Sequence, residues 1–366
     1  MTQLEATWCI TNICAGSRSH IESLVSKGLF ELLPKILDSK YEKIFEQGAW
    51  AVGNISADEG TFKEILLKYN IMEKLVTKIL TSRDEEVLKY TNWALCNLVT
   101  GTSQNIKKNV AMAALIKIIL TQNDPSMIND SLRALLDLTD NPTVHILIES
   151  KLVPRFFELI KMPFKNILFT ILQLIAYITN GTDKETQAIL DCGGVEVIFA
   201  LLAEPGTDVA CRRECLWIIS NILVGTYEQM KYVFSKNQWV DTLFNHSINE
   251  NEKVKKEAIW CLCNSTKNAD ENHIALLIER GIFIVFNNNM DVHTDCNVLK
   301  TILEALSHIL RWGVPEVSQM PNRFQAHLET TGVLDRIQNL QLHPSQTVYQ
   351  YTSNLIEQYF QVHDPI

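Results

Sequence analysis

Five times along this chain a tryptophan is followed four residues later by an asparagine: Trp8-Cys-Ile-Thr-Asn12, Trp50-Ala-Val-Gly-Asn54, Trp93-Ala-Leu-Cys-Asn97, Trp217-Ile-Ile-Ser-Asn221 and Trp260-Cys-Leu-Cys-Asn264. Residues four apart share one face of a helix, about one turn from each other. An indole face attracts a cation, worth about 0.5–2 kcal/mol, and neighbouring rings can sandwich the aliphatic stem of a lysine or arginine. The carboxamide offers both an acceptor and a donor, so it can hold the two main-chain polar groups of an extended peptide whatever its sequence. One such pair would read as core packing with a local hydrogen bond. Five in register do not, because core positions accept Leu, Ile or Phe and have no use for the asparagine. The pattern predicts a ladder for a peptide carrying basic side chains.

Successive tryptophans are 42, 43, 124 and 43 residues apart. The long gap holds three periods, with degenerate copies at Ser131-Leu-Arg133-Ala-Leu-Leu-Asp137 and Ile171-Leu-Gln173-Leu-Ile-Ala-Tyr177, and another faded copy surrounds Leu306-Ser-His308. Before many copies a glycine break opens an apolar helix, as at Gly28, Gly193 and Gly281; glycine supplies the positive φ that ends one helix and turns into the next. Strand signals are weak. A helical period of 40–47 residues indicates HEAT or armadillo units. The expectation is an all-α, right-handed superhelical solenoid of about eight full armadillo repeats after a partial first one. It reads as one domain over 1–366: a partial repeat to 27, ladder repeats over 28–112, degenerate repeats over 113–192, ladder repeats over 193–280 and C-terminal repeats over 281–366. Trp8 stands too near the start for a full first repeat, so chain is expected to precede it in a longer protein.

Composition narrows the partner. With 33 basic and 42 acidic residues the net charge is −9, which disfavours nucleic acid and suits a basic ligand. The nine cysteines have neither metal-ligand nor disulfide spacing, so reduced buried thiols are expected, with no metal and no cofactor. No apolar run is long enough for a membrane span and no signal peptide is visible. There is no phosphate loop, GxSxG or HExxH. An enzyme is not expected.

At the ladder residues the chain resembles the importin-α family, adaptors that carry proteins bearing lysine-rich nuclear localisation signals. The resemblance extends to the last stretch, Asp335 to Phe360. It implies a major cargo site at Trp8, Asn12, Gly16, Gln47, Trp50, Asn54, Asp58, Trp93, Asn97 and Asp130, with Asp58 pairing the critical cargo lysine. It implies a minor site at Gly181, Glu214, Trp217, Asn221, Glu257, Trp260 and Asn264. The chain departs from the family pattern at Ile21, where a threonine is usual, at Tyr90 in place of Asn, and in the degenerate repeats. There Arg133 would repel a basic linker unless Asp137 and Asp140 offset it. Roughly 45 Å between clusters would let a bipartite signal bridge both sites with some 14 extended residues, alongside monopartite signals that fill one.

The resemblance further implies shuttling between cytoplasm and nucleus, and an export receptor of the exportin-2 type as a partner. Residues 1–30 hold no Lys/Arg cluster, so the segment that recruits importin-β and folds back over the empty groove is expected to be absent. Two rivals remain: an armadillo scaffold of the β-catenin or adhesion type, and a relative that sequesters basic cargo without transporting it.

Overall fold

A computed structural model describes residues 2–57, 61–101, 106–162, 165–314 and 322–360. All regular structure among them is helical, and the helices repeat as short groups. The chain divides into two compact units, Met1–Gly181 and Thr182–Ile366.

The first unit opens on α1 (Thr2–Cys14), a lone ladder helix. Next come α2 (Arg18–Val25), α3 (Leu29–Leu37) and α4 (Glu42–Ser56), then α5 (Thr61–Lys68), α6 (Ile71–Thr81) and α7 (Glu85–Val99). The pair α8 (Lys108–Thr121) and α9 (Pro125–Leu138) follows, and α10 (Val144–Glu149), α11 (Leu152–Ile160) and α12 (Lys165–Thr179) close the unit. Each group ends on a ladder helix, and α1, α4, α7, α9 and α12 pack in that order.

The second unit repeats the scheme four times. Its groups are α13 (Asp183–Asp191), α14 (Gly194–Ala203) and α15 (Val209–Val224), then α16 (Tyr227–Phe234), α17 (Asn237–Asn249) and α18 (Glu252–Asn264). The last two are α19 (Glu271–Glu279), α20 (Ile282–Asn289) and α21 (Cys296–Arg311), then α22 (Gln325–Thr330), α23 (Val333–Leu340) and α24 (Gln346–Tyr359). Here α15, α18, α21 and α24 stack in turn. Each unit is thus a stack of armadillo repeats, the α-solenoid expected from the period.

Local chemistry sets the corners of most repeats. Six of the middle helices are entered through left-handed residues: Gly28, Gly193, Gly281 and Gly332 at φ 88°, 71°, 90° and 77°, and also Asn70 and Lys151 at 56° and 60°. Lysine there is costly, and only tertiary packing can impose it. Five of the ladder helices are capped instead by Asp84, Asp124, Asp208, Asn251 and Asp295, whose side chains accept from backbone amides two or three residues on. Such a cap satisfies orphan amides and favours the helix dipole. Between the layers Leu33, Ile55, Leu75, Leu95 and Leu98 in the first unit are fully buried, as is Phe286 in the second.

One buried polar clamp ties α7 to α9. The Asn92 amide donates to the Met127 carbonyl at 3.2 Å, and its Oδ1 accepts from the Ser131 hydroxyl at 2.9 Å. Asn92→Ala strands both partners in a dry interface and is expected to cost about 2 kcal/mol, read from chemical denaturation. An unchanged denaturation midpoint would show that the clamp is replaceable.

Candidate peptide-binding site

In the first unit the ladder runs over α1, α4 and α7. Trp8 is exposed, and Trp50 and Trp93 are half-buried with part of each ring open to solvent. The asparagines form a regular relay. Asn54 Nδ2 donates to the carbonyl of Thr11, the residue before Asn12, and Asn97 Nδ2 donates to the carbonyl of Gly53, the residue before Asn54, each at 3.2 Å. One amide hydrogen is thereby used to fix the side chain, and Oδ1 with the second hydrogen remains the inventory for a ligand. Tyr90 stacks on Trp50, ring centroids 5.1 Å apart and planes 23° from parallel. With Trp93, Met127 and Asp130 these rings line a pocket of about 190 Å³. Asp130 is half-buried, and burial pushes its carboxyl above the usual range. Gln47 reaches the same face, with its Oε1 buried and without a hydrogen-bond partner among the described residues.

In the second unit Trp217 and Trp260 meet edge to face, 6.3 Å between centroids. Glu214 and Glu257 stand one turn before them, as their spacing predicts. Together they line a pocket of about 540 Å³. Burial raises the carboxyls of both Glu214 and Glu257, and the charge of Glu257 adds to the effect on Glu214. Glu257 Oε2 is buried and has no hydrogen-bond partner among the described residues. Its other oxygen meets Arg213 at 3.5 Å. Lys256 lies over the Trp260 ring at 5.1 Å and pairs with Asp295 at 3.2 Å. Two of the protein's own cations therefore already sit on the ligand groups a basic peptide would use. The Asn264 amide donates to Ser220 at 2.8 Å, again to the residue before the preceding ladder asparagine.

The structure gathers Gln47, Trp50, Asn54, Trp93, Asn97 and Asp130 along α4, α7 and α9, beside Trp8 and Asn12 on α1. Gly16 follows α1 on an exposed turn, its amide bonded to Ile13. Asp58 lies outside the described residues. Gly181 ends the first unit, just past α12, while Glu214, Trp217, Asn221, Glu257, Trp260 and Asn264 belong to the second. Asp140 cannot offset Arg133 as expected, because its carboxylate is held by Lys108 and Thr143 and sits below the usual range. At the faded copy His308 bonds to the Thr266 hydroxyl at 3.0 Å, and burial lowers its pKa, which keeps it neutral.

The spacing argument missed the basic residues beside the minor-site carboxylates. They had a signal: Arg213-Glu214 before Trp217 and Lys256-Glu257 before Trp260 repeat the same basic–acidic dipeptide, with Lys253 one turn earlier. Among the described residues no His, Cys, Asp or Glu cluster could hold a metal ion, and no single helix is long and apolar enough to cross a membrane.

Comparison with known proteins points the same way as the ladder residues. The chain is 28% identical to importin subunit alpha-1b of Oryza sativa subsp. japonica over 366 residues, covering 98% of this chain and 68% of that protein. It is 27% identical to importin subunit alpha-5 of Arabidopsis thaliana, covering 98% and 69%. The chain is thus similar to importin-α proteins over almost its whole length. Residues 322–365 match the model of the atypical armadillo repeat. The fold is shared with an engineered protein (TM-score 0.71, 24% identity, 97% of this chain and 94% of that one). A designed armadillo repeat protein also shares it (TM-score 0.58, 19% identity, 67% and 98%). At such distance from the importin-α proteins it resembles, this chain's ligand preference rests on its own side chains.

Proposed function

We propose that this chain is a nuclear import adaptor that binds lysine- and arginine-rich localisation signals, extended along its Trp/Asn ladders. The observation that carries the reading is the coincidence, in each unit, of open indole rings, relay-fixed asparagines and partly buried carboxylates. Rings take the aliphatic stems, carboxamides hold the peptide main chain, and carboxylates in a semi-dry setting favour a cation more than surface ones do. Asp58 would serve as the anion for the critical lysine, on the strength of the family resemblance. Monopartite signals need one unit, and bipartite ones carry a basic cluster for each. The transport role brings with it shuttling between cytoplasm and nucleus and an exportin-2-type receptor for return, with importin-β as carrier only through a basic segment that residues 1–30 do not carry.

The test is calorimetry of a short lysine-rich signal peptide against the same peptide with its lysines replaced by glutamate. Binding of the first alone, weakened by added salt, supports the reading; equal heats or none overturn it. Lys256→Ala should tighten binding at the second unit by about threefold, since one competing cation leaves Trp260. Unchanged affinity would mean that Lys256 swings aside freely.

A second reading, an armadillo scaffold, is favoured by one observation: Arg213, Lys253 and Lys256 converge on the second pocket, where an acidic partner would meet them. An import assay with labelled cargo separates transport from scaffolding or sequestration.

A further inference from the structure

We infer that Tyr90 makes the first unit's pocket selective for arginine over lysine, by joining Trp50 and Trp93 in an aromatic wall that faces a single carboxylate, Asp130. This rests on the basic-peptide reading and refines it. Tyr90 and Trp50 are near parallel at 5.1 Å, so each ring covers one face of the other, and the stack offers a ligand its edges and remaining outer face beside Trp93. Trp93 follows three residues later on the same helix, and Met127, itself buried, closes the floor. The volume, about 190 Å³, suits one side-chain head rather than a peptide segment.

That lining treats the two basic side chains differently. A lysine ammonium is compact and strongly hydrated, with three donors to satisfy. Here it would find one carboxylate among mainly carbon and ring surface, and would surrender most of its water. A guanidinium is planar and weakly hydrated, stacks on aromatic faces and can pair with one carboxylate through two parallel bonds. Asp130 is the carboxylate available: its hydrogen-bond partner is Asn129, at a long 3.5 Å. Lys89 borders the pocket but is exposed, so its ammonium can remain in water while a ligand enters. An asparagine at position 90 would offer the ammonium a second oxygen and remove the ring. The tyrosine does the reverse.

The experiment is a single-arginine scan of a lysine-only signal peptide, each lysine changed in turn, titrated against wild type, Tyr90→Phe, Tyr90→Asn and Tyr90→Leu. At one peptide position arginine should tighten binding to wild type and Tyr90→Phe by about fivefold, and to the Asn and Leu variants by less than about twofold. If the lysine-only peptide binds but no position prefers arginine, or the preference survives in both Asn and Leu variants, the inference is wrong and the adaptor reading stands. If no peptide in the series binds, both fall. Tyr90→Leu keeps apolar packing against Trp50, so a defect confined to Tyr90→Asn would be read as a folding effect and would overturn the assignment to the ring.

Discussion

Gly53→Val is expected to disable the first unit's ladder, lowering its affinity for a lysine-rich peptide by at least about tenfold and the thermal midpoint by about 5–10 °C. Helix propensity alone argues the opposite, since glycine inside a helix costs up to about 1 kcal/mol relative to alanine. Packing decides. A Cβ on Gly53 would stand 2.1 Å from Cζ3 and 2.4 Å from Cε3 of Trp93, an overlap that only movement of the indole can relieve. The Gly53 carbonyl also accepts the Asn97 amide. One glycine thus seats both members of the next pair, and a branched side chain there unseats both. Gly48→Ala is the control: its Cβ meets the Ile36 side chain at 2.5 Å, within the helix layers. It should lower the thermal midpoint while leaving peptide affinity within about twofold. Peptide binding by Gly53→Val equal to wild type would show that Trp93 is not part of the site.

How far the residues alone reach is visible in these positions. The period, the ladder and the glycine corners were legible because each rests on short-range geometry: four residues make a turn, and positive φ favours glycine. Asn70 and Lys151 hide the same corner under ordinary residue types, since there packing rather than conformational preference imposes the left-handed backbone. The Trp50–Tyr90 stack was legible only as a missing asparagine. Its geometry depends on the spacing of α4 and α7, which no local pattern encodes. Likewise Gly53 reads as an oddity within Trp50-Ala-Val-Gly-Asn54 until the ring of the following repeat lies against it. Asp140 looked like a free groove charge because its partner Lys108 is 32 residues away in sequence. Contacts between repeats, not within them, are what the sequence conceals.

The same distinction governs the second unit's carboxylates, where folding and binding should pull apart. Glu214→Lys together with Glu257→Lys is expected to weaken binding of a basic peptide to this unit by at least about a hundredfold, because two anions become cations beside Arg213 and Lys253. The paired change to glutamine is more informative. Burial makes both carboxyls easier to protonate in the folded chain than in the unfolded one. Such groups add stability at pH below the ordinary glutamate range, lose that contribution as pH rises through their raised values, and at neutral pH oppose folding. Removing the charges should therefore raise the thermal midpoint at pH 7 by about 2–4 °C, even as peptide affinity falls. Binding carries the opposite sign, for a bound cation holds the carboxylates charged. Affinity in the wild type should fall as pH drops toward the raised values, beginning above the range of an ordinary glutamate, and this dependence should be weaker in the glutamine variant. A glutamine variant that is less stable at pH 7 would mean that the Arg213–Glu257 pair outweighs desolvation, making these residues structural. A more stable variant with weakened binding would mark them as charges retained at a cost to the fold, for a ligand that brings the missing cation.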